Sequence, residues 1–127
     1  MIEMILYSLF APFGLLLLTL VWAYPAVLEE VVKWAILKFG DSSNVGFRTG
    51  VYVGLSFGVS EAILYCMNAW VSAQWGVIVL RLLLTVPMHV VTAGFIGWSI
   101  KHNYGYLGLI LSMVIHATFN YVASLIV

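Results

Sequence analysis

Apolar runs of fifteen to twenty-five residues, separated by short polar breaks, make up almost the whole chain. A helix crossing the hydrocarbon core of a bilayer needs about 20 mostly apolar residues. The runs at 4–24, 45–67, 76–100 and 106–127 meet that length. A fifth run, 25–39, spans only about 22 Å at 1.5 Å rise per residue. It opens on Pro25, a residue suited to the first helical position because the missing N–H would be orphaned there anyway. Its shortness places the Tyr24–Pro25 turn below the membrane surface and sinks Glu29 and Glu30 deeper than their position in the helix suggests. Pro12 and Gly14 mark a kink in the first run. The polar stretch 40–44 reads as an aqueous loop, and 68–75 as a turn with Trp70 and Trp75 at interface level. Gly46, Gly50, Gly54 and Gly58 recur four apart, which bares one face of the third helix for close helix approach. The expected fold is all-α, a polytopic transmembrane bundle of about five spans forming a single domain over 1–127.

Composition sharpens this picture. Of 127 residues 64% are hydrophobic and 8% charged, where a soluble domain carries roughly 25% charged residues, and mean hydropathy is +1.10. Those values exclude a soluble enzyme and leave no room for a separate soluble domain. Net charge is zero and no basic run occurs, so nothing points to nucleic acid. The single cysteine, Cys66, excludes a disulfide framework or a cysteine zinc site and reads as a small packing side chain. The first run lacks a basic leader and a small-residue cleavage site, and it is longer than a secretion signal's apolar stretch, so it is expected to stay as a span. Lys38 and Arg48 flank the second loop and Lys101 the fourth. The positive-inside rule then puts the N-terminus in the cytoplasm and the C-terminus outside.

Against this apolar background five ionisable residues stand out: Glu29, Glu30, Glu61, His89 and His116. A charge at the bilayer centre costs about 2.5–3.5 kcal/mol on insertion scales, so such residues face a packed interior, a wet cavity or a metal. In the expected topology all five fall between the outer half and the midplane, level enough to share one site. Lys33 lies four residues from Glu29 and three from Glu30, within reach of either. Phe57, Glu61 and Tyr65 form a stripe at four-residue steps, as do Arg81, Thr85 and His89, and His116 with Asn120. Zinc accepts two histidine nitrogens and one carboxylate oxygen and leaves a position for water. His89 and His116 fit as ligands, with Glu61 or one of the Glu29/Glu30 pair as the third and a remaining carboxylate as base. Each element also has a structural reading: a hydrogen-bonded core histidine, an interhelical Glu61–Tyr65 bond, or a Glu29–Glu30–Lys33 salt bridge. Arg81 suits an aliphatic stem reaching the interface, and His102 beside Lys101 suits solvent.

Taken together these segments resemble the PrsW-type intramembrane metalloproteases. Glu29-Glu30-Val31-Val32-Lys33 is similar to their EExxK element. The run from Leu55 to Tyr65, with Phe57, Glu61 and Tyr65, is similar to FxxxExxxY. Arg81 through His89, followed by Thr92-Ala93-Gly94-Phe95-Ile96-Gly97, resembles their third segment, and His116 with Asn120 their closing HxxxN/D. The resemblance covers residues 25–125. A more distant likeness connects it to the CAAX-protease and bacteriocin-processing superfamily, which has EExxxR in place of EExxK. The resemblance implies proteolysis within the membrane by a glutamate-activated water, acting on a membrane-embedded or lipid-anchored peptide. It implies Glu29, Glu30 and Asn120 as catalytic residues, with Lys33, Glu61, Tyr65 and Arg81 in support. His89, His116 and Glu61 would be ligands for a divalent metal, zinc by its chemistry.

The chain departs from such relatives in having only about five spans. It is expected to be a minimal core, or to complete its cavity as a homo-oligomer or with a partner. Two other readings compete: an ion- or proton-transporter subunit built on the same residues, and an immunity-type membrane protein that binds a peptide without cutting it.

Overall fold

A computed structural model describes residues 1–19, 24–40, 44–72 and 75–126. The chain forms five helices, α1 (Ile2–Thr19), α2 (Pro25–Phe39), α3 (Phe47–Ser72), α4 (Trp75–Lys101) and α5 (Gly105–Ile126), with no strand among the described residues. Three of them contain stretches long and apolar enough to cross a membrane, Phe47–Met67, Leu82–Lys101 and Gly105–Leu125, and Ile2–Leu15 is a shorter apolar helix. The all-α membrane bundle expected from the hydropathy pattern is the observed fold. Its boundaries differ in detail. Helix α3 continues through 68–72, where a turn was expected, because no glycine or proline stops it there. Residues 20–23, 41–43 and 73–74, which include parts of the expected first span, loop and turn, lie outside the described residues.

Helix α2, the shortest, packs against all four others. Pro25 is its first residue, and from there Ala26, Glu30, Lys33 and Leu37 form its buried face, a spacing of four, three and four that keeps to one side of a 3.6-residue helix. Leu37 joins Met4, Val53, Ala93 and Ile96 in the apolar core. Lys33 and Glu30 stand one and two turns above that core. A charged helix too short to span is thus packed among longer apolar ones, which buries Glu30 and Lys33 inside the bundle.

The glycine stripe explains the tightest packing. Helices α3 and α4 make the most extensive pairing in the bundle, and Gly50, Gly54 and Gly58 lie against the α4 backbone at Ala93, His89 and Val86. A Cβ on Gly54 would come within 2.8 Å of the His89 carbonyl carbon and the Val90 Cα, so only glycine allows this approach. The α4–α5 turn is closed by Asn103 N–H to Ile100 O at 3.1 Å and Tyr104 N–H to Ser99 O at 2.8 Å. This is the Schellman pattern, and Asn103 holds the left-handed position at φ 65° that asparagine tolerates. On α5 the buried stripe is Gly108, Ser112 and His116, and Ser112 Oγ donates to Thr92 O at 3.2 Å. Ser60 Oγ donates to Leu9 O and ties α3 to α1. Cys66, expected in the core, is exposed on the surface of the chain.

Candidate active site

Glu30, Lys33, His89 and His116 are all fully buried and come from α2, α4 and α5. Glu30 and Lys33 share the inner face of α2, whereas Glu29, about 100° around the helix, sits on its flank and is partly exposed. The Lys33 ammonium has three protons and three partners: Glu30 Oε1 at 2.5 Å, His89 Nδ1 at 2.8 Å and Thr92 Oγ1 at 3.2 Å. Glu30 Oε1 also meets His116 Nδ1 at 2.7 Å and Thr92 Oγ1 at 3.3 Å. His89 Nε2 pairs with Glu61 Oε2, and the Tyr65 phenol bonds the same carboxylate. The imidazoles of His89 and His116 meet edge to face, their centroids 5.1 Å apart.

These partners fix the hydrogen positions by elimination. An ammonium can only donate, so Nδ1 of His89 is the acceptor and Nε2 carries the proton, which goes to Glu61. A carboxylate can only accept, so His116 Nδ1–H donates to Glu30 and leaves the lone pair on Nε2. That nitrogen lies 3.6 Å from Glu29 Oε2. Among the described residues Glu29 Oε2 and Glu30 Oε2 are buried oxygens without a hydrogen-bond partner. A buried carboxylate oxygen without a donor is costly, and such atoms concentrate where a cation or reacting group belongs.

The residues fit a divalent metal. One donor atom each from Glu29, His89 and His116 lie within 4.8 Å of one another. Zinc bonds of about 2.0–2.2 Å in a tetrahedron put neighbouring donors about 3.4 Å apart, close to the 3.6 Å between Glu29 and His116. Two imidazoles and a carboxylate are a common donor set for a catalytic zinc with an open position. Each imidazole also gives its other nitrogen to a carboxylate, the arrangement that orients metal-binding histidines and raises their basicity.

The expected residues fall into three groups. Glu29, Glu30, Lys33, Glu61, His89 and His116 converge, with Tyr65 bonded to Glu61. In this grouping Glu29 rather than Glu61 stands with the two histidines, and Glu61 stands behind His89. Asn120 lies one turn beyond His116 and is exposed. The side chains of Arg81, Trp70 and Trp75 lie outside the described residues. Two participants were not singled out by their own chemistry. Thr92 bridges Lys33 and Glu30, and Phe57, fully buried, places its ring 5.4 Å from that of His89 and 5.2 Å from Lys33 Nζ. Their signals were positional: Thr92 follows His89 by three residues and Phe57 precedes Glu61 by four, each on the same helix face.

No curated protein and no solved structure matches the chain. The family model for PrsW family intramembrane metalloproteases, however, matches residues 2–127, a span that takes in all three helices carrying the Glu29–His89–His116 cluster. An apolar helical bundle with a buried carboxylate–imidazole centre, matched along its length in this way, belongs to the PrsW family of intramembrane metalloproteases.

Proposed function

We propose that the protein hydrolyses a peptide bond of a membrane-embedded or lipid-anchored substrate, using a divalent metal, zinc by preference, and a glutamate-activated water. The observation that carries this reading is the convergence of Glu29, His89 and His116 donor atoms within 4.8 Å, inside a chain whose family implies a metal. His89, His116 and one Glu29 oxygen are the groups that would hold the ion. When bound, a zinc ion polarises the scissile carbonyl and brings the pKa of its water to about 7. Glu29 has a second oxygen, and it takes the proton of the attacking water and passes it to the leaving amine. Glu61 and Glu30 hold the imidazoles in one tautomer each, and Lys33 balances the Glu30 charge. Asn120, one turn from His116, is the residue that would donate its amide to the developing oxyanion. The cleaved bond lies toward the outer half of the bilayer, with the N-terminus cytoplasmic.

The test compares new peptide ends in membranes from cells producing the wild type, Glu29→Gln, His89→Ala or His116→Ala. Fragments specific to the wild type are expected, and each substitution should abolish them while leaving expression unchanged. Identical fragment sets would refute the proposal. Ion flux in liposomes without bound metal would replace it with the transporter reading.

A further inference from the structure

A neutral imidazole has one lone pair, and in His89 that pair is already taken. Lys33 Nζ stands 2.8 Å from Nδ1 as a donor, while Nε2 gives its proton to Glu61. A metal needs the same lone pair, whichever nitrogen it uses. On Nδ1 it would displace the ammonium outright. On Nε2 it would force the ring proton onto Nδ1, where it would oppose a Lys33 N–H, donor against donor. The Lys33–His89 contact and a metal on His89 therefore exclude each other.

A second observation offers the lysine another acceptor. Glu30 Oε2 is buried and has no hydrogen-bond partner among the described residues, although Lys33 already touches Oε1 of the same carboxylate at 2.5 Å. Rotation about the lysine stem would move one N–H from His89 Nδ1 toward this oxygen while the ammonium stays beside the Glu30 carboxylate. The Phe57 ring lies 5.2 Å from Nζ and lines the same pocket. Resting on the metal-site reading above, we infer that Lys33 is a built-in competitor of the metal: its ammonium occupies the His89 lone pair in the lysine-held arrangement and shifts to Glu30 Oε2 when the ion is loaded. Lys33 is a positioning residue here and touches neither substrate nor reacting atoms.

The experiment measures zinc and cobalt affinity of the detergent-solubilised full chain by chelator competition, for the wild type and Lys33→Met. Removing a cation that opposes the ion across a few ångströms of buried protein should tighten binding by at least about tenfold. Equal or weaker binding by a folded Lys33→Met overturns the inference while leaving the metal site intact. Binding by Lys33→Met alone supports it, and binding by neither protein overturns both the inference and the metal-site reading. A second measurement uses the wild type only, in case the variant does not fold. The NMR cross-peak between the Lys33 ε-protons and the His89 ring should be present without metal and lost at zinc saturation. Persistence of that cross-peak at saturation overturns the inference.

Discussion

Gly54→Ala gives the sharpest check on how the bundle places His89. The added Cβ would sit 2.8 Å from the His89 carbonyl carbon and from the Val90 Cα, with the His89 carbonyl oxygen nearer still. Ordinary contact begins at 3.4 Å, so α3 and α4 must part by at least 0.6 Å (3.4 − 2.8), and the atoms that must move are backbone rather than a flexible tip. Overpacking of this kind costs about 1–3 kcal/mol. Displacement of about 1 Å at a catalytic group costs about 10²-fold in rate, so 0.6 Å or more at His89 should lower turnover by tenfold or more. Gly46→Ala is the control on the same stripe, because its Cβ would meet only Lys101 Cδ at 3.4 Å. Thermal unfolding, zinc affinity and fragment yield are measured for both. Gly54→Ala should keep its helical content, lose several degrees of Tm and bind zinc more weakly, while Gly46→Ala tracks the wild type. Equal behaviour of the two variants would show that helix approach at Gly54 does not set the position of His89.

Three further outcomes follow from the same geometry. Glu61→Gln should lower zinc affinity about 10–100-fold, since the amide holds His89 without the carboxylate's charge; unchanged affinity by chelator competition would remove Glu61 from its orienting role. Glu29→Gln should reduce cleavage by about 10²–10⁴-fold, as read by fragment yield, and residual cleavage near the wild-type level would exclude it as the base. Asn103→Val should destabilise the α4–α5 turn by about 1–2 kcal/mol because a β-branched residue is strained at φ 65°, whereas Asn103→Gly should be nearly neutral; equal melting of the two would refute the assignment.

Much of the site was legible because its chemistry conflicts with its surroundings. Carboxylates and imidazoles in apolar runs have few structural excuses, and helical spacing put Lys33 within reach of Glu29 or Glu30, and Glu61 with Tyr65. The glycine stripe likewise announced a close helix pair, although not that its partner would be the backbone carrying His89. What stayed hidden depends on tertiary approach. Lys33 and His89 are 56 positions apart, and no local pattern says that an ammonium drawn to Glu30 will also reach an imidazole on α4. Thr92 was hidden for the same reason, since a threonine hydroxyl in a helix ordinarily turns back to its own backbone. The end of α3 lies beyond the expected one because Asn68 and an interface-level Trp70 resemble a break, yet without glycine or proline the backbone continues its hydrogen-bonding. Cys66 faces outward because its helix presents Gly54, Phe57 and Gly58 to the bundle, which leaves Cys66 on another side.

The distribution of the centre over α2, α4 and α5 has a consequence for biosynthesis. Glu29, Glu61 and His89 are polymerised before His116, which follows His89 by 27 residues (116 − 89), about one to five seconds at 5–20 residues per second. Throughout that interval the centre lacks the second of the two imidazoles that meet in it, so the cluster cannot form. Assembly of the centre is therefore timed by the arrival of α5.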